Sequence, residues 1–326
     1  MLPVAPEEAA SRVIEGDRRI CARLMTLLEE GDGAAKEVMK LLYPHTGKAV
    51  TVGVTGGTGS GKSTLVDRLI QAFRERGLKV GAVVVDPSSP FSGGAFLGDR
   101  LRMQRHSRDQ GVFIRSMASR GYLGGLARAT SETIRVMEAM GMEVVLVETI
   151  GAGQDEVDVI QVAQTCLVVI APGSGDEIQA LKAGLMEIGH VFVINKSDLD
   201  GALQALRAVE AALSLKGMPE GLWRPVVVST VATEGRGIDE LVRAILAHRE
   251  HLERGEGMER ARSQRVEHEL GLIFRDELER IVFRGLKGTG MKKRYVQDIM
   301  DGRTDPYSVI EEILGIFVKK RPSPWR

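Results

Sequence analysis

The sequence predicts an α/β fold, a doubly wound and mostly parallel sheet with helical extensions at its N-terminal and C-terminal ends. Three observations predict it. Short runs rich in Val and Ile recur between residues 49 and about 230, segments of helical length separate most of them, and the flanking stretches carry apolar residues at helical spacing. A chain of 326 residues suits one large domain with additions, or two domains, at roughly 100 to 200 residues each. With 43% hydrophobic and 27% charged residues it has the composition of a chain that buries a core.

The elements follow in order. Residues 1–48 place Ile20, Leu24, Leu27 and Leu28, then Val38, Leu41 and Leu42, at helical spacing, with Gly31-Asp32-Gly33 as a break. Buried strands are expected at Val50–Val54, Val80–Val85, Val112–Ile114, Val144–Val147, Leu167–Ile170, Val191–Ile194 and Val226–Val228. Helices are expected at Ser63–Arg76, Gly125–Met140, Asp176–Ile188 and Ala202–Leu215, and this alternation argues for a parallel sheet covered on both faces. After Gly237 only helices are expected: Ile238–Leu252, Met258–Phe283, Met291–Met300 and Tyr307–Val318. Asp305 and Pro306 suit the cap and first position of the last, and Gly302 suits the close of the one before. In the longest, Val266, Leu270, Ile273, Phe274, Leu278 and Ile281 form an apolar stripe on a charged rod, for which both packing on the core and a dimerisation arm are open. The resulting division is 1–48, 49–252 and 253–326.

Forty-four basic residues balance 44 acidic ones, so no global field favours a polyanion, and nucleic acid is not an expected partner. The two cysteines, Cys21 and Cys166, lie far apart in apolar stretches, which predicts buried free thiols and excludes a disulfide framework. Apolar runs stop short of the roughly 18 residues that a membrane span needs, and the acidic start lacks a signal-peptide layout. No membrane association is expected, and a reducing, cytoplasmic setting is.

The first strand runs directly into Gly56-Gly57-Thr58-Gly59-Ser60-Gly61-Lys62-Ser63-Thr64, which fits G-x-x-x-x-G-K-[ST] between a strand and a helix. Glycines let the backbone curl so that its N–H groups point at phosphate oxygens, and the following helix adds its positive end. Lys62 is expected to reach the β and γ phosphates, and the Ser63 hydroxyl to bind Mg²⁺.

The sixth strand ends in Asn195-Lys196-Ser197-Asp198, the N-K-x-D pattern of guanine-specific sites. Guanine offers two adjacent donors, N1–H and the exocyclic amine, and one carboxylate accepts both, whereas adenine would leave that carboxylate unpaired. Asp198 therefore favours GTP over ATP. Ser229, Thr230 and Val231, after the last strand, occupy the place of a base-contacting loop. Asp86, Asp99 and Glu148 stand at strand ends or in the loops that follow, where an open parallel sheet binds its ligands. Mg²⁺ uses few carboxylates and keeps several waters, so some of the three would hold those waters.

These segments resemble the MeaB-like family of GTPases, which includes the ArgK-type proteins and the human methylmalonic aciduria type A protein. The resemblance is carried by Gly56 to Thr64, Val85-Asp86-Pro87-Ser88-Ser89, Gly93-Gly94, Leu97-Gly98-Asp99-Arg100, Leu123-Gly124-Gly125, Glu148-Thr149-Ile150-Gly151-Ala152-Gly153-Gln154, Pro172 to Gln179, and Asn195 to Asp198. Glu148 stands where most GTPases carry Asp in D-x-x-G. The resemblance implies a P-loop GTPase core and a homodimeric G-protein chaperone of an adenosylcobalamin-dependent acyl-CoA mutase, using GTP hydrolysis to gate cofactor loading and to help remove damaged cofactor. Adenosylcobalamin then reaches the complex only through the mutase. It also implies that Ser63, Asp86, Asp99 and Glu148 form the Mg²⁺ group, that the loops around Asp86 to Asp99 and Gly151 to Gln154 are switches, and that Gly173 to Gly184 is a third mobile loop. There Asp176, Glu177 and Lys182 would exchange partners between states. The attacking water is left to one of three groups: Gln154 in the second switch, a backbone group, or a residue brought in by the partner protein. Slow intrinsic turnover accelerated by the mutase is expected.

A nickel-inserting metallochaperone needs Cys or His ligands close together. The one close pair, His248 and His251, reads as a solvated helix face. A P-loop kinase linked to amino-acid transport is opposed by Asp198, and a nucleotide-responsive scaffold without turnover shares most of the same residues.

Overall fold

The computed structural model describes residues 2–87, 104–106, 108–119, 123–149, 162–173, 185–215, 222–254, 257–286 and 290–318. It divides into two compact units, Met1–Glu269 and Leu270–Arg326.

The first unit opens with three helices, α1 (Pro6–Ile14), α2 (Arg18–Glu29) and α3 (Gly33–Leu42). Asp17 and Asp32 cap the second and third by accepting backbone N–H groups of their first turns, which satisfies donors that have no partner inside a helix. The sheet elements then alternate: β1 (Val50–Gly56), α4 (Lys62–Glu75), β2 (Val80–Pro87), β3 (Val112–Ser119), α5 (Leu123–Ala139), β4 (Val144–Glu148), β5 (Thr165–Ile170), α6 (Leu185–Ile188), β6 (Val191–Asn195), α7 (Ala202–Leu215), β7 (Val226–Thr230) and α8 (Ile238–Glu253). All seven expected strands are present. Of the helix expected at Asp176–Ile188, only α6 lies within the described residues. β3 outlasts its expected end at Ile114 because Arg115 and Ser116 interrupt the apolar run while the ladder to β2 continues as far as Pro87↔Ser119.

The strand order is β3-β2-β4-β1-β5-β6-β7, and every neighbouring pair is parallel. Burial follows the pleat, because successive side chains point to opposite faces. Val52, Val54, Leu146, Val169 and Val193 join Leu65, Leu69 and Phe73 of α4 and Leu241 and Ile245 of α8 in one apolar cluster. On the other face, Val83, Val85, Val145 and Val147 pack with α5 and with Ile20, Leu24, Leu28 and Val38 of the N-terminal helices, so those helices are part of the core. Phe192, Ile194 and Val168 pack with Ala205 and Val209 of α7. Arginines tie α2 to the third strand: Arg18 donates to the Val112 carbonyl at 2.8 Å, and Arg115 to the Glu29 carboxylate at 2.5 Å. Both cysteines are buried and free, as expected, and burial pushes the Cys21 thiol up to about 12.

Because the order runs outward in both directions from β1, the carboxyl ends of β1, β4 and β5 form the place where an open parallel sheet takes its ligand. Among the described residues no helix is long and apolar enough to cross a membrane.

The long helix α9 (Gly257–Leu286) begins in the first unit and ends in the second, which also holds α10 (Met291–Met300) and α11 (Pro306–Val318). Tyr295, Val309 and Ile313 make a small core there, and Tyr295 donates its hydroxyl to Glu312 at 3.0 Å. Asp305 caps α11 through the N–H groups of Tyr307 and Ser308, and Gly302 follows α10 at φ +68°, both as the sequence predicts. Leu270 and Phe274 of the apolar stripe are 60% and 67% exposed.

Candidate functional site

The glycine-rich turn between β1 and α4 is shaped by positions that only glycine tolerates. Gly56 has φ +142°, and a Cβ there would lie 2.0 Å from the Val169 carbonyl oxygen of β5. Gly59 and Gly61 have φ of +81° and +93°, the left-handed region that side chains with a Cβ avoid. Gly61 caps α4 without a side chain, and the first turn of that helix carries no acidic residue of its own. Lys62 is 6% exposed and folds its ammonium over the turn, donating to the carbonyls of Gly56 at 2.7 Å and Gly57 at 2.9 Å. Ser60 is fully buried, Thr58 is exposed at the tip, and Thr64 follows Ser63 in the first turn of α4.

Beside this turn the Ser63 hydroxyl donates to the Glu148 carboxylate at 2.5 Å. Glu148 closes β4, is 4% exposed, and stands in register with Val54 of β1. A hydroxyl and a carboxylate in contact at the carboxyl end of the sheet are hard oxygen donors, the donor set that Mg²⁺ prefers. Asp86 stands near the end of β2, paired with Ala118 of β3 and two residues beyond Val84, whose register partner is Glu148. Asp99, Gln154, Asp176, Glu177 and Lys182, together with residues 88–103, 151–154 and 174–184 expected to act as switches, lie outside the described residues.

The Asn-Lys-Ser-Asp turn is fastened to the phosphate turn from the other side. Asn195, 2% exposed, donates its side-chain N–H to the Ser60 carbonyl at 2.8 Å, while its carbonyl accepts from the Thr230 hydroxyl at 3.0 Å and the Ala232 N–H at 3.2 Å. Lys196, at φ +57°, donates to the Gly59 carbonyl at 2.8 Å. Asp198 stands exposed at the end of this turn, and Ser229 is exposed at the end of β7. Thr230 and Val231 are buried, the first by its bond to Asn195 and the second with its N–H donated to the Arg236 carbonyl. Thus Asn195 and Thr230, expected to bind nucleotide, also hold the frame together, Asn195 with one of its two amide N–H groups.

Some members of this neighbourhood are silent in the sequence. Arg68 of α4 donates to the carbonyls of Ala232 and Thr233, and Asp67 beside it accepts from Arg105 and pairs with His106 at 2.9 Å. A charged pair on an amphipathic helix looks like a solvated face, and nothing local distinguishes it. His248 corrects an expectation of this kind. It is 1% exposed, its ring lies 4.2 Å from that of His190 and 4.9 Å from that of Trp223, and its Nδ1 meets the Thr165 hydroxyl at 2.8 Å. The solvated face fails here because α8 turns this residue toward the start of β5 and β6. Burial holds both imidazoles well below the usual range, at about 4 for His190 and about 3 for His248. Among the described residues there is no group of three His, Cys, Asp or Glu that could hold a metal ion.

A glycine-rich turn between the first strand and its helix, bound through one asparagine to an Asn-Lys-Ser-Asp turn that exposes a carboxylate, belongs to the P-loop GTPase class. Residues 21–286 match the family described as methylmalonyl Co-A mutase-associated GTPase MeaB, and the chain belongs to that family. It is similar to a Pyrococcus abyssi protein, with 47% identity over 95% of this chain and 97% of that one. It is also similar to the GTPase ArgK of Escherichia coli, at 36% identity over 79% and 80% of the two chains. With the mouse methylmalonic aciduria type A homolog, a mitochondrial protein, it shares 35% identity over 70% of this chain and 59% of that one. The crystal structure of an LAO/AO transport system kinase superposes with a TM-score of 0.71 and 25% identity, covering 98% of this chain and 99% of that one. The chain is a GTPase of this family.

Proposed function

We propose that the chain is a G-protein chaperone that binds and hydrolyses GTP to gate cofactor loading, protection and reactivation of an adenosylcobalamin-dependent acyl-CoA mutase of the methylmalonyl-CoA mutase type. The single observation that carries the nucleotide part is the Asn195 bridge between the phosphate turn and the base-reading turn. The mutase part is supported by the family, whose description is of a mutase-associated GTPase.

In this reading the turn from Gly56 to Gly61 holds the phosphates, and Lys62 exchanges its two carbonyl acceptors for β and γ oxygens. Ser63, Glu148, Asp86 and Asp99 would hold Mg²⁺, which supplies charge neutralisation at the terminal phosphates. Glu148 accepts a hydrogen bond from the Ser63 hydroxyl and so holds that side chain at the sheet end. Hydrolysis forms a bond from water oxygen to the γ phosphorus and breaks the bond to the β–γ bridging oxygen, which leaves with GDP; the protein's part is mainly positioning and charge stabilisation. Gln154 orients the water. Asp176, Glu177 and Lys182 report the nucleotide state to the mutase, and a second copy of the chain makes the functional dimer. The two free buried thiols fit a reducing compartment such as the cytoplasm.

Phosphate release measured with and without a methylmalonyl-CoA mutase tests the reading. Slow turnover accelerated by the mutase is expected, and a fast rate indifferent to it would overturn the proposal. Lys182→Glu should reduce the stimulated rate more than GTP affinity. The kinase reading, suggested by the related transport system kinase, predicts phosphate transfer to a small acceptor and no preference for GTP over ATP. The exposed Asp198 carboxylate argues against it.

A further inference from the structure

We infer that Arg68 is a positioning residue for base recognition, which holds the loop after β7 against the helix that grows out of the phosphate turn. The inference rests on the guanine reading proposed above and adds the element that keeps the base-reading loop in shape. Arg68 lies on α4 and donates from Nε to the Ala232 carbonyl at 2.9 Å and from Nη2 to the Thr233 carbonyl at 2.5 Å, with a longer contact from Nη1 to Gln71 at 3.5 Å. One planar fork across two successive carbonyls fixes two peptide planes together, and its charge strengthens both bonds.

The same stretch is held from its other side. The Ala232 N–H is donated to Asn195, so the residue is gripped at its N–H from the end of β6, where the base-reading turn begins, and at its carbonyl by α4. The loop is tight enough that a Cβ at Gly237 would lie 2.1 Å from the Ser229 carbonyl oxygen. These contacts close a ring. Ser60 of the phosphate turn binds Asn195, Asn195 binds Ala232, Ala232 binds Arg68, and Arg68 returns through α4 to Lys62 and the phosphate turn. A nucleotide must touch the phosphate turn and the base loop at once, so a ring that sets their separation before binding spares the ligand the cost of ordering the loop. Without Arg68 one side of the ring opens, the loop visits other conformations, and apparent affinity falls by the fraction of time it is misplaced.

The experiment compares the full-length protein with Arg68→Ala and Arg68→Lys by GDP titration and by GTP turnover at saturation. The dissociation constant for GDP and the KM for GTP should rise about tenfold in Arg68→Ala, with kcat held within about twofold. Arg68→Lys, whose ammonium reaches one carbonyl, should fall between. Unchanged GDP affinity in both variants would overturn the inference, and so would a kcat that falls in step with affinity, since that marks general damage. Failure of the guanine reading shows separately, in the unsubstituted protein, as equal affinity for ADP and GDP.

Discussion

Asn195 donates its side-chain N–H to the Ser60 carbonyl at 2.8 Å, joining the end of β6 to the turn after β1 across 135 residues of sequence. Both partners are buried, and the asparagine carbonyl is filled from Thr230 and Ala232. Asn195→Ala would leave the Ser60 carbonyl and the Thr230 hydroxyl buried without that partner. Each such group costs about 1 to 3 kcal/mol, so a stability loss of roughly 3 kcal/mol is expected in urea denaturation, together with weakened GDP binding. Asn195→Asp should be no better, because a carboxylate cannot donate to Ser60.

Two glycines of the phosphate turn should fail in different ways. In Gly56→Ala the added methyl meets the backbone oxygen of Val169, which the sheet holds in place, so the fold itself should lose roughly 3 kcal/mol or more. In Gly61→Ala the methyl meets the Asn195 side-chain nitrogen at 2.3 Å, an atom that can be pushed aside at the cost of its one bond to Ser60, whereas the Val169 carbonyl is part of the sheet. Nucleotide binding should then be lost with a smaller fall in melting temperature. Melting curves beside GDP titrations separate the two, and equal damage in both variants would refute the distinction.

Base choice is testable at Asp198. Xanthine keeps the N1–H donor of guanine but replaces the exocyclic amine with an oxygen, so its edge suits an amide, which donates and accepts, better than a carboxylate. Asp198→Asn is expected to lose GDP affinity by about a hundredfold and to gain xanthosine diphosphate, in line with what a missing hydrogen-bond partner costs a buried edge. Retained guanine preference in that variant would count against Asp198 as the reader.

Acid should destabilise the protein through His190 and His248. Their folded values, about 4 and about 3, lie below the ordinary 6.5, so the unfolded chain binds protons first as pH falls. Their contribution is complete above about pH 6.5 and declines below it, at roughly 1.4 kcal/mol per pH unit for each ring, until the folded values are reached. About 4 kcal/mol would be gone at pH 5. Urea midpoints between pH 5 and 7 measure this slope, and His248→Gln should flatten it.

The phosphate turn was legible because its requirements are local. Gly56, Gly59 and Gly61 are needed for positive φ within a few residues of one another, and Lys62 and Ser63 follow at fixed spacing. The strands were legible because β-branched runs in the sheet leave a continuous apolar signal, which gives out where polar residues extend a strand by backbone pairing, as Arg115 and Ser116 do in β3. Arg68 and His248 were not legible. Each sits on a helix among charges, and its partners, Ala232 in one case and His190 in the other, lie far away in the chain.

By itself, then, the amino-acid order determined the parallel α/β class and the phosphate turn, and it supplied the N-K-x-D pattern on which the proposed guanine reading rests, since each depends on residue types at short spacing. Tertiary packing decided that Asn195 and Thr230 serve as braces, that Arg68 grips the carbonyls of Ala232 and Thr233 after β7, that His248 is buried, and that α1 to α3 belong to the core. The physical reason is that such roles are set by which polar atoms and apolar faces meet after distant segments come together, and periodicity along the chain carries no record of those meetings.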